Sequence, residues 1–326
     1  MENILIIGGA GYIGRQIINL LNKKKYKILV IDNLNTTKKN LINKNISFKK
    51  IDILNKSKLN SIFRNNKFDT VIHLAAKCVV SESEKIPKQY YKTNVIGTKN
   101  IVENCKKYKV KNFIFSSSCS IFSNRIKIVK ENSLTNPISY YGKTKLMAEK
   151  LIKNSFKNTN TKYIILRYFN VVGADLKNKI GEIGNKDRLF NNISKNILDK
   201  NYKINIYGNN YNTKDGTCIR DYIHVYDLAN IHIKCLEKFY RIKKSIYLNC
   251  SYGKGYSVLE IARSFQNITK QKIEIKFKKR RFGDMEEIVA SNKKLINFIN
   301  WKPKFDNINK MVSTTFIWNK YLKTKL

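Results

Sequence analysis

The run Gly8-Gly9-Ala10-Gly11-Tyr12-Ile13-Gly14 constrains this 326-residue chain more than any other feature. It completes an apolar run at residues 3–9 and opens an amphipathic stretch at 12–23. Glycines between a strand and a helix let the backbone turn tightly and approach a pyrophosphate, whose charge rests on the helix N-terminus. The next apolar run, 27–33, carries Asp32 near its end, at about the 20-residue spacing where a carboxylate meets an adenosine ribose. A carboxylate there also repels a 2′-phosphate, so the pattern predicts NAD rather than NADP. A glycine motif alone has a plainer reading, a tight turn, and Asp32 alone could be a cap; their combination favours the dinucleotide.

Further apolar runs at 69–76, 112–118 and 162–170 alternate with helix-like stretches at 56–65, 89–108 and 141–156. Continuous apolar strands separated by helices mean a parallel sheet covered on both faces. The expected fold class is α/β, a doubly wound parallel sheet of the Rossmann kind over residues 1–170. After Asn170 the character changes: 175–186 is polar and contains glycine, 207–220 reads as a long polar loop, and only shorter signals follow. Residues 171–326 are expected to form a smaller C-terminal substrate domain, with the chain crossing back to the first domain. There is no internal repeat, and three prolines in the whole chain argue against a flexible hinge.

Ser116-Ser117-Ser118 ends the fifth apolar run, and Tyr141-Gly142-Lys143-Thr144-Lys145 begins a helix, placing Tyr141 and Lys145 on one face. A phenol with a pKa near 10 is a poor base at neutral pH. A nearby ammonium stabilises the phenolate and brings proton transfer within reach, while Ser118 can share a hydrogen bond with a substrate hydroxyl. Tyr140 is the competing phenol, but its i+4 partner, Thr144, carries no charge. Alone, the Tyr and Lys could belong to an ordinary exposed helix; after a glycine fingerprint and a serine-rich strand end they read as catalytic. Asp52-Ile53 closes the presumed third strand and His73-Leu74-Ala75-Ala76 the fourth, where small residues let a flat cofactor pack closely. His73 itself reads as a satisfied buried imidazole without chemistry.

The formal charge of +41 raises the possibility of nucleic acid, an anionic membrane surface or anionic small molecules as partners. The lysines are spread along the chain, as at 23–25, 106–107 and 243–244, and travel with many Asn and Ile residues. That distribution favours a diffusely basic surface over a nucleic-acid footprint. Cys78, Cys105, Cys119, Cys218, Cys235 and Cys250 form no CxxC pair, which predicts reduced thiols in a cytoplasmic protein. The N-terminus reads as a first strand rather than a signal peptide, and no apolar stretch is long enough to span a bilayer. No metal site is expected.

Taken together these motifs resemble the extended short-chain dehydrogenase/reductases, most closely their UDP-glucose 4-epimerase branch. The resemblance runs the length of the chain. It includes Asn94-Val95-Ile96-Gly97-Thr98, Leu166-Arg167-Tyr168-Phe169-Asn170, Arg220-Asp221-Tyr222-Ile223-His224-Val225 and Arg281-Phe282-Gly283-Asp284. It implies that Gly8, Gly11, Tyr12, Ile13, Gly14, Asp32, Asn33, Asp52, Ile53, Ala75, Ala76, Asn94, Tyr141, Lys145 and Tyr168 line NAD. It further implies that Ser118, Tyr141 and Lys145 are catalytic, that Asn170, Arg220 and Arg281 hold a diphosphate, that Asp284 meets the uridine ribose, and that Leu189 borders the UDP-sugar. The implied reaction is inversion at C4 of a UDP-hexose through a 4-keto sugar. A homodimer through the helices at 89–108 and 141–156 is implied as well.

Alternatives within the family are a UDP-N-acetylhexosamine 4-epimerase or another nucleotide-sugar enzyme; outside it stands a basic nucleic-acid-binding protein on a Rossmann scaffold. Dehydratases of the family carry an Asp-Glu pair where this chain has Cys119-Ser120. Three departures from the family pattern stand out. Cys78 takes the place of a lysine that usually reaches the cofactor, with Lys77 one residue earlier. Ile121-Phe122-Ser123 replaces Val-Tyr-Gly, and Arg188 and Asn191 replace an Asn or His and a Pro beside Leu189. Ile288, four residues past Asp284, is expected either to gate the sugar's 2-substituent or to be a core residue of a late strand.

Overall fold

A computed structural model describes residues 1–21, 24–37, 45–123, 126–184, 188–281 and 284–325. The first half alternates strand and helix: β1 (Glu2–Ile7), α1 (Tyr12–Leu20), β2 (Tyr26–Asp32), β3 (Ser47–Lys50), α2 (Lys56–Arg64) and β4 (Thr70–His73). Two short helices, α3 (Val80–Lys85) and α4 (Pro87–Tyr91), lead through a π-helical turn at Lys92–Ile96 into α5 (Gly97–Lys107). Next come β5 (Asn112–Ser118), the two-residue β6 (Ile128–Val129), α6 (Tyr140–Phe156), β7 (Lys162–Tyr168) and β8 (Asn170–Val172). The later chain forms α7 (Leu189–Leu198), β9 (Lys203–Tyr207), β10 (Ile219–His224), α8 (Val225–Glu237), β11 (Ile246–Cys250) and β12 (Gly255–Ser257). It ends with α9 (Val258–Thr269), β13 (Glu274–Lys278), β14 (Glu287–Ala290), α10 (Lys293–Ile299) and α11 (Ile308–Lys323). The expected first helix ran to Lys23; residues 22–23 lie outside the described residues.

The chain divides into two compact units that interleave. The first comprises residues 1–123, 134–168 and 229–248, the second 124–133, 169–228 and 249–326. The first unit is built on a seven-stranded sheet in the order β11-β7-β5-β4-β1-β2-β3. The pairings from β3 across to β7 are all parallel, with Ile7 opposite both Ile31 and His73. This is the doubly wound sheet that the apolar runs predict. Ile4, Leu5, Ile6 and Ile7 are wholly buried, so β1 lies at the centre of the core, where each such side chain contributes roughly 1.5–3 kcal/mol. The strand order reverses at β1 and β4, and ligands of open α/β sheets sit in the crevice beyond the strand ends at such a reversal.

In the second unit β10 is the hub of a five-stranded sheet, pairing with β12, β14 and β8. β9 and β13 form a separate parallel pair. No helix among the described residues is long and apolar enough to cross a membrane.

Candidate active site

The glycine turn is shaped by close approach. Gly8 has φ +81°, and a Cβ there would lie 2.5 Å from the Ala75 amide nitrogen, so the loop after β1 presses against the loop after β4. A Cβ on Gly14 would meet Gly9 Cα at 2.6 Å, which lets α1 start against the turn itself. At Gly11, the N-cap of α1, the nearest atom would be Gly8 O at 3.4 Å, and no side chain caps the helix. The first turn, with Tyr12 and Ile13, holds no acidic residue, so no carboxylate of that turn opposes an anion at the helix N-terminus. Asp32 ends β2 with one carboxylate oxygen accepting the Ala10 N–H at 3.0 Å and the other the Leu34 N–H at 2.8 Å. Burial raises its pKa, and those N–H groups hold it back toward the ionised form. A carboxylate offers about four acceptor sites, which leaves room beside these N–H groups for a ribose hydroxyl.

Asn33 donates to Asp52 at 2.9 Å, and Asp52 accepts the Leu54 N–H at 2.8 Å, which joins the ends of β2 and β3. Ile53 packs so tightly beneath α5 that a Cβ on Gly97 would come within 2.4 Å of its side chain. Ala75 and Ala76 are half-buried beyond β4. These residues fit a dinucleotide: a helix start without a competing acidic residue, a carboxylate for the ribose and small residues beyond β4. Asn94 behaves differently from a simple wall residue. Its amide is buried and clamps the Lys77 backbone, accepting from N–H at 2.9 Å and donating to C=O at 3.0 Å, and it also donates to Thr144. It holds the loop after β4 against α6. Cys78 follows on that loop with its side chain exposed.

Ser139 caps α6 by accepting the Gly142 N–H, and the helix carries both Tyr141 and Lys145 into the interior. A Cβ on Gly142 would meet the Ser120 carbonyl oxygen at 2.2 Å. That contact brings the first turn of α6 against the 3₁₀ turn Cys119–Ile121 directly after Ser118. Ser118 is buried, its hydroxyl donating to that of Ser120 and accepting the Ser120 N–H. The Tyr141 N–H donates to Ser83 Oγ. Lys145 donates from Nζ to the Ser116 carbonyl at 2.7 Å and lies 4.9 Å from the Phe115 ring centre. Burial lowers its pKa to about 8, with Cys78 and Glu149 pulling the other way. His73 is pushed down to about 3 by burial and then by Lys145, so it stays neutral, with Nε2 2.9 Å from Thr98 Oγ1.

Tyr168 is buried at the end of β7 with its hydroxyl 2.6 Å from His232 Nε2, a partner 64 residues away that no local pattern announces. Glu149 likewise goes unread in the sequence, although it sits four residues past Lys145. It forms a buried pair with Arg167 at 2.8 Å and accepts from Ser117 at 2.5 Å.

In the second unit Asn170 donates to the Asp221 carbonyl at 3.0 Å. Arg220 is held by the Ile219 carbonyl at 2.9 Å and lies 3.5 Å from Asp284. The Arg281 guanidinium is exposed and stacks 3.9 Å above the Tyr207 ring. Phe282 and Gly283 of the same motif lie outside the described residues. Asp221, beside Arg220, is wholly buried and accepts the N–H groups of Tyr252, Gly253 and Ala290, which tie the loop after β11, and β14, to β10. Leu189 opens α7 after Arg188. Ile288 is wholly buried in β14, opposite Arg220 in the strand register. Among the described residues no group of His, Cys, Asp and Glu could hold a metal ion.

A family model described as the NAD dependent epimerase/dehydratase family matches residues 4–250. The chain is 37% identical over 319 residues to a UDP-glucose 4-epimerase of Lactobacillus helveticus, covering 97% of each chain. It is 35% identical to a UDP-glucose 4-epimerase of Halalkalibacterium halodurans, covering 97% of this chain and 95% of the relative. Among solved structures, UDP-glucose 4-epimerase from Stenotrophomonas maltophila with bound NAD and formylated UDP-arabinopyranose matches with a TM-score of 0.94. The two are 29% identical, and the match covers 100% of both chains.

Proposed function

The chain belongs to the NAD dependent epimerase/dehydratase family, and from that premise we propose that it inverts C4 of a UDP-hexose, interconverting UDP-glucose and UDP-galactose, with NAD held through the cycle. One observation carries the reading: Tyr141 and Lys145 are buried together on α6, with Lys145 bonded to the strand that ends in Ser118. Tyr141 takes the proton of the C4 hydroxyl and later returns it. Lys145, charged below a pKa of about 8, stabilises the phenolate that this requires. Ser118 shares the hydroxyl's hydrogen bond and steadies the 4-keto sugar. Bound NAD supplies the acceptor, and then the donor, of the C4 hydride.

Gly8, Gly11, Gly14 and the α1 N-terminus hold the pyrophosphate, and Asp32 the adenosine ribose. On the sugar-nucleotide side, Asn170, Arg220 and Arg281 take the diphosphate and Asp284 the uridine ribose, since guanidinium groups stay charged and grip phosphate oxygens in a fork. Cys119 and Ser120 after Ser118 offer no carboxylate for eliminating water, which supports epimerisation over dehydration.

The protein is also read as a cytoplasmic homodimer. Among the described residues its six cysteines form no disulfide, and Tyr91, Tyr140 and Met147 expose large apolar surface on α4 and α6, where a second copy would pack.

Protein purified without added cofactor is expected to convert UDP-galactose to UDP-glucose and to release NAD, not NADP, on denaturation. A preparation that releases no nicotinamide dinucleotide and stays inactive when NAD is supplied would overturn the reading.

A further inference from the structure

Arg188 replaces an expected Asn or His directly before Leu189, and its surroundings give the replacement a task. It is the N-cap of α7, with extended backbone (φ −79°, ψ 131°) and no side-chain bond to the helix's own N–H groups. A cation at a helix N-terminus opposes the helix dipole. Its guanidinium instead donates to the Val171 carbonyl on β8 at 2.9 Å and pairs with Glu182 at 3.0 Å. Glu182 also accepts from Asn191, the other departure, at 2.7 Å in the first turn of α7. The counter-charge is itself fixed: the Glu182 carbonyl accepts the Trp318 indole N–H at 2.7 Å, and Asn191 accepts from Asn319 on the same helix, α11.

We propose that Arg188 is a positioning residue that locks the start of α7 to β8, with Glu182 as its counter-charge, so that Leu189 and Asn170 keep a set spacing around the nucleotide. This rests on the reading of those two residues as UDP-sugar contacts. Val171 follows Asn170 on β8, and Leu189 follows Arg188 on α7, so each end of the guanidinium bridge adjoins one of them. Arg188 and Asn191 then act as one replacement, joined through Glu182.

The test is UDP binding to the full NAD-loaded protein, with KM and kcat for UDP-galactose, in wild type, Arg188→Met, Glu182→Gln and the double variant. Each single variant is expected to weaken UDP and raise KM by about three- to thirty-fold, with the double no worse than the weaker-binding single. Chemistry is untouched, so kcat stays within about two-fold. If Arg188→Met fails to fold, Arg188→Lys keeps the charge, loses the fork and is expected to weaken UDP likewise. Weakening by Arg188→Met alone, with Glu182→Gln indifferent, would mean a direct ligand contact and overturn the proposal. Additive losses, a fall in kcat without a rise in KM, or unchanged UDP binding in the variants would overturn it too. Wild-type protein that binds no UDP would overturn the reading of the site itself.

Discussion

Tyr140 and Tyr141 are neighbours on α6 with opposite surroundings. Tyr140 is 42% exposed and stacks with Lys143, while Tyr141 is 9% exposed on the face it shares with Lys145. Tyr141→Phe should therefore cost on the order of a hundred- to ten-thousand-fold in kcat with UDP binding spared, and Tyr140→Phe should be mild. Steady-state kinetics of the two variants check this; the reverse order would place the proton-transfer group one residue away. The spacing of Tyr141 and Lys145 was legible because a helical repeat fixes which residues share a face. Asn94's grip on Lys77 and Tyr168's bond to His232 were not, since their partners come from other elements. Ile288 is a further case: sequence offered a gate or a core residue, and it is 0% exposed in β14. Ile288→Tyr should overpack the second unit, lowering stability by about 1–3 kcal/mol or more. The measurements are thermal unfolding and kcat/KM for plain and N-acetylated UDP-hexoses. A specificity shift at unchanged stability would restore the gate.

α6 carries more than Tyr141 and Lys145. Glu149, 3% exposed, binds Arg167 of β7 through two donors at 3.1 and 2.8 Å, and the Arg167 guanidinium lies between the rings of Phe122 and Tyr247. Glu149→Ala would remove the carboxylate that faces this buried cation. A loss of about 3–5 kcal/mol is expected in denaturant titration, partly recovered when Arg167→Met is added. A loss under about 1 kcal/mol would mean that water reaches Arg167 readily. The same scale shows what an apolar pattern can reveal. The strands of the first unit are continuous apolar runs, so their existence and parallel pairing could be read. The helix expected over 89–108 divides instead into α4, a π-helical turn and α5. Asn94 sits in that turn, clamped to Lys77, and Gly97 gives way to Ile53; neither constraint leaves a periodic trace. In the second unit β6 has two residues, and β9 pairs with β13 some 70 residues on, too short and too distant for a local signal.

For the whole molecule the open variable is charge. With 64 Lys and Arg against 23 Asp and Glu, cations exceed carboxylates by 41. The ion pairs with exposed lysines, such as Lys99–Glu103 and Lys203–Glu274, are each worth little in water. Self-repulsion of this kind keeps a protein dispersed but works against its compact state. Raising NaCl from about 0.1 to 1 M shortens the screening length from about 10 to about 3 Å, below the usual spacing of surface charges. The melting temperature should therefore rise with salt, whereas in a protein held by surface ion pairs it would fall. The same excess predicts that retention on DNA, where it occurs at low salt, is lost steeply as salt rises and shows no sequence preference. Turnover of UDP-galactose should survive the salt that abolishes retention, because the arginines proposed to hold the diphosphate are backed by neighbours: Arg220 by the Ile219 carbonyl, Arg281 by the Tyr207 ring. Activity lost in parallel with DNA retention would mean that the diffuse charge, rather than the built site, draws the anionic substrate in.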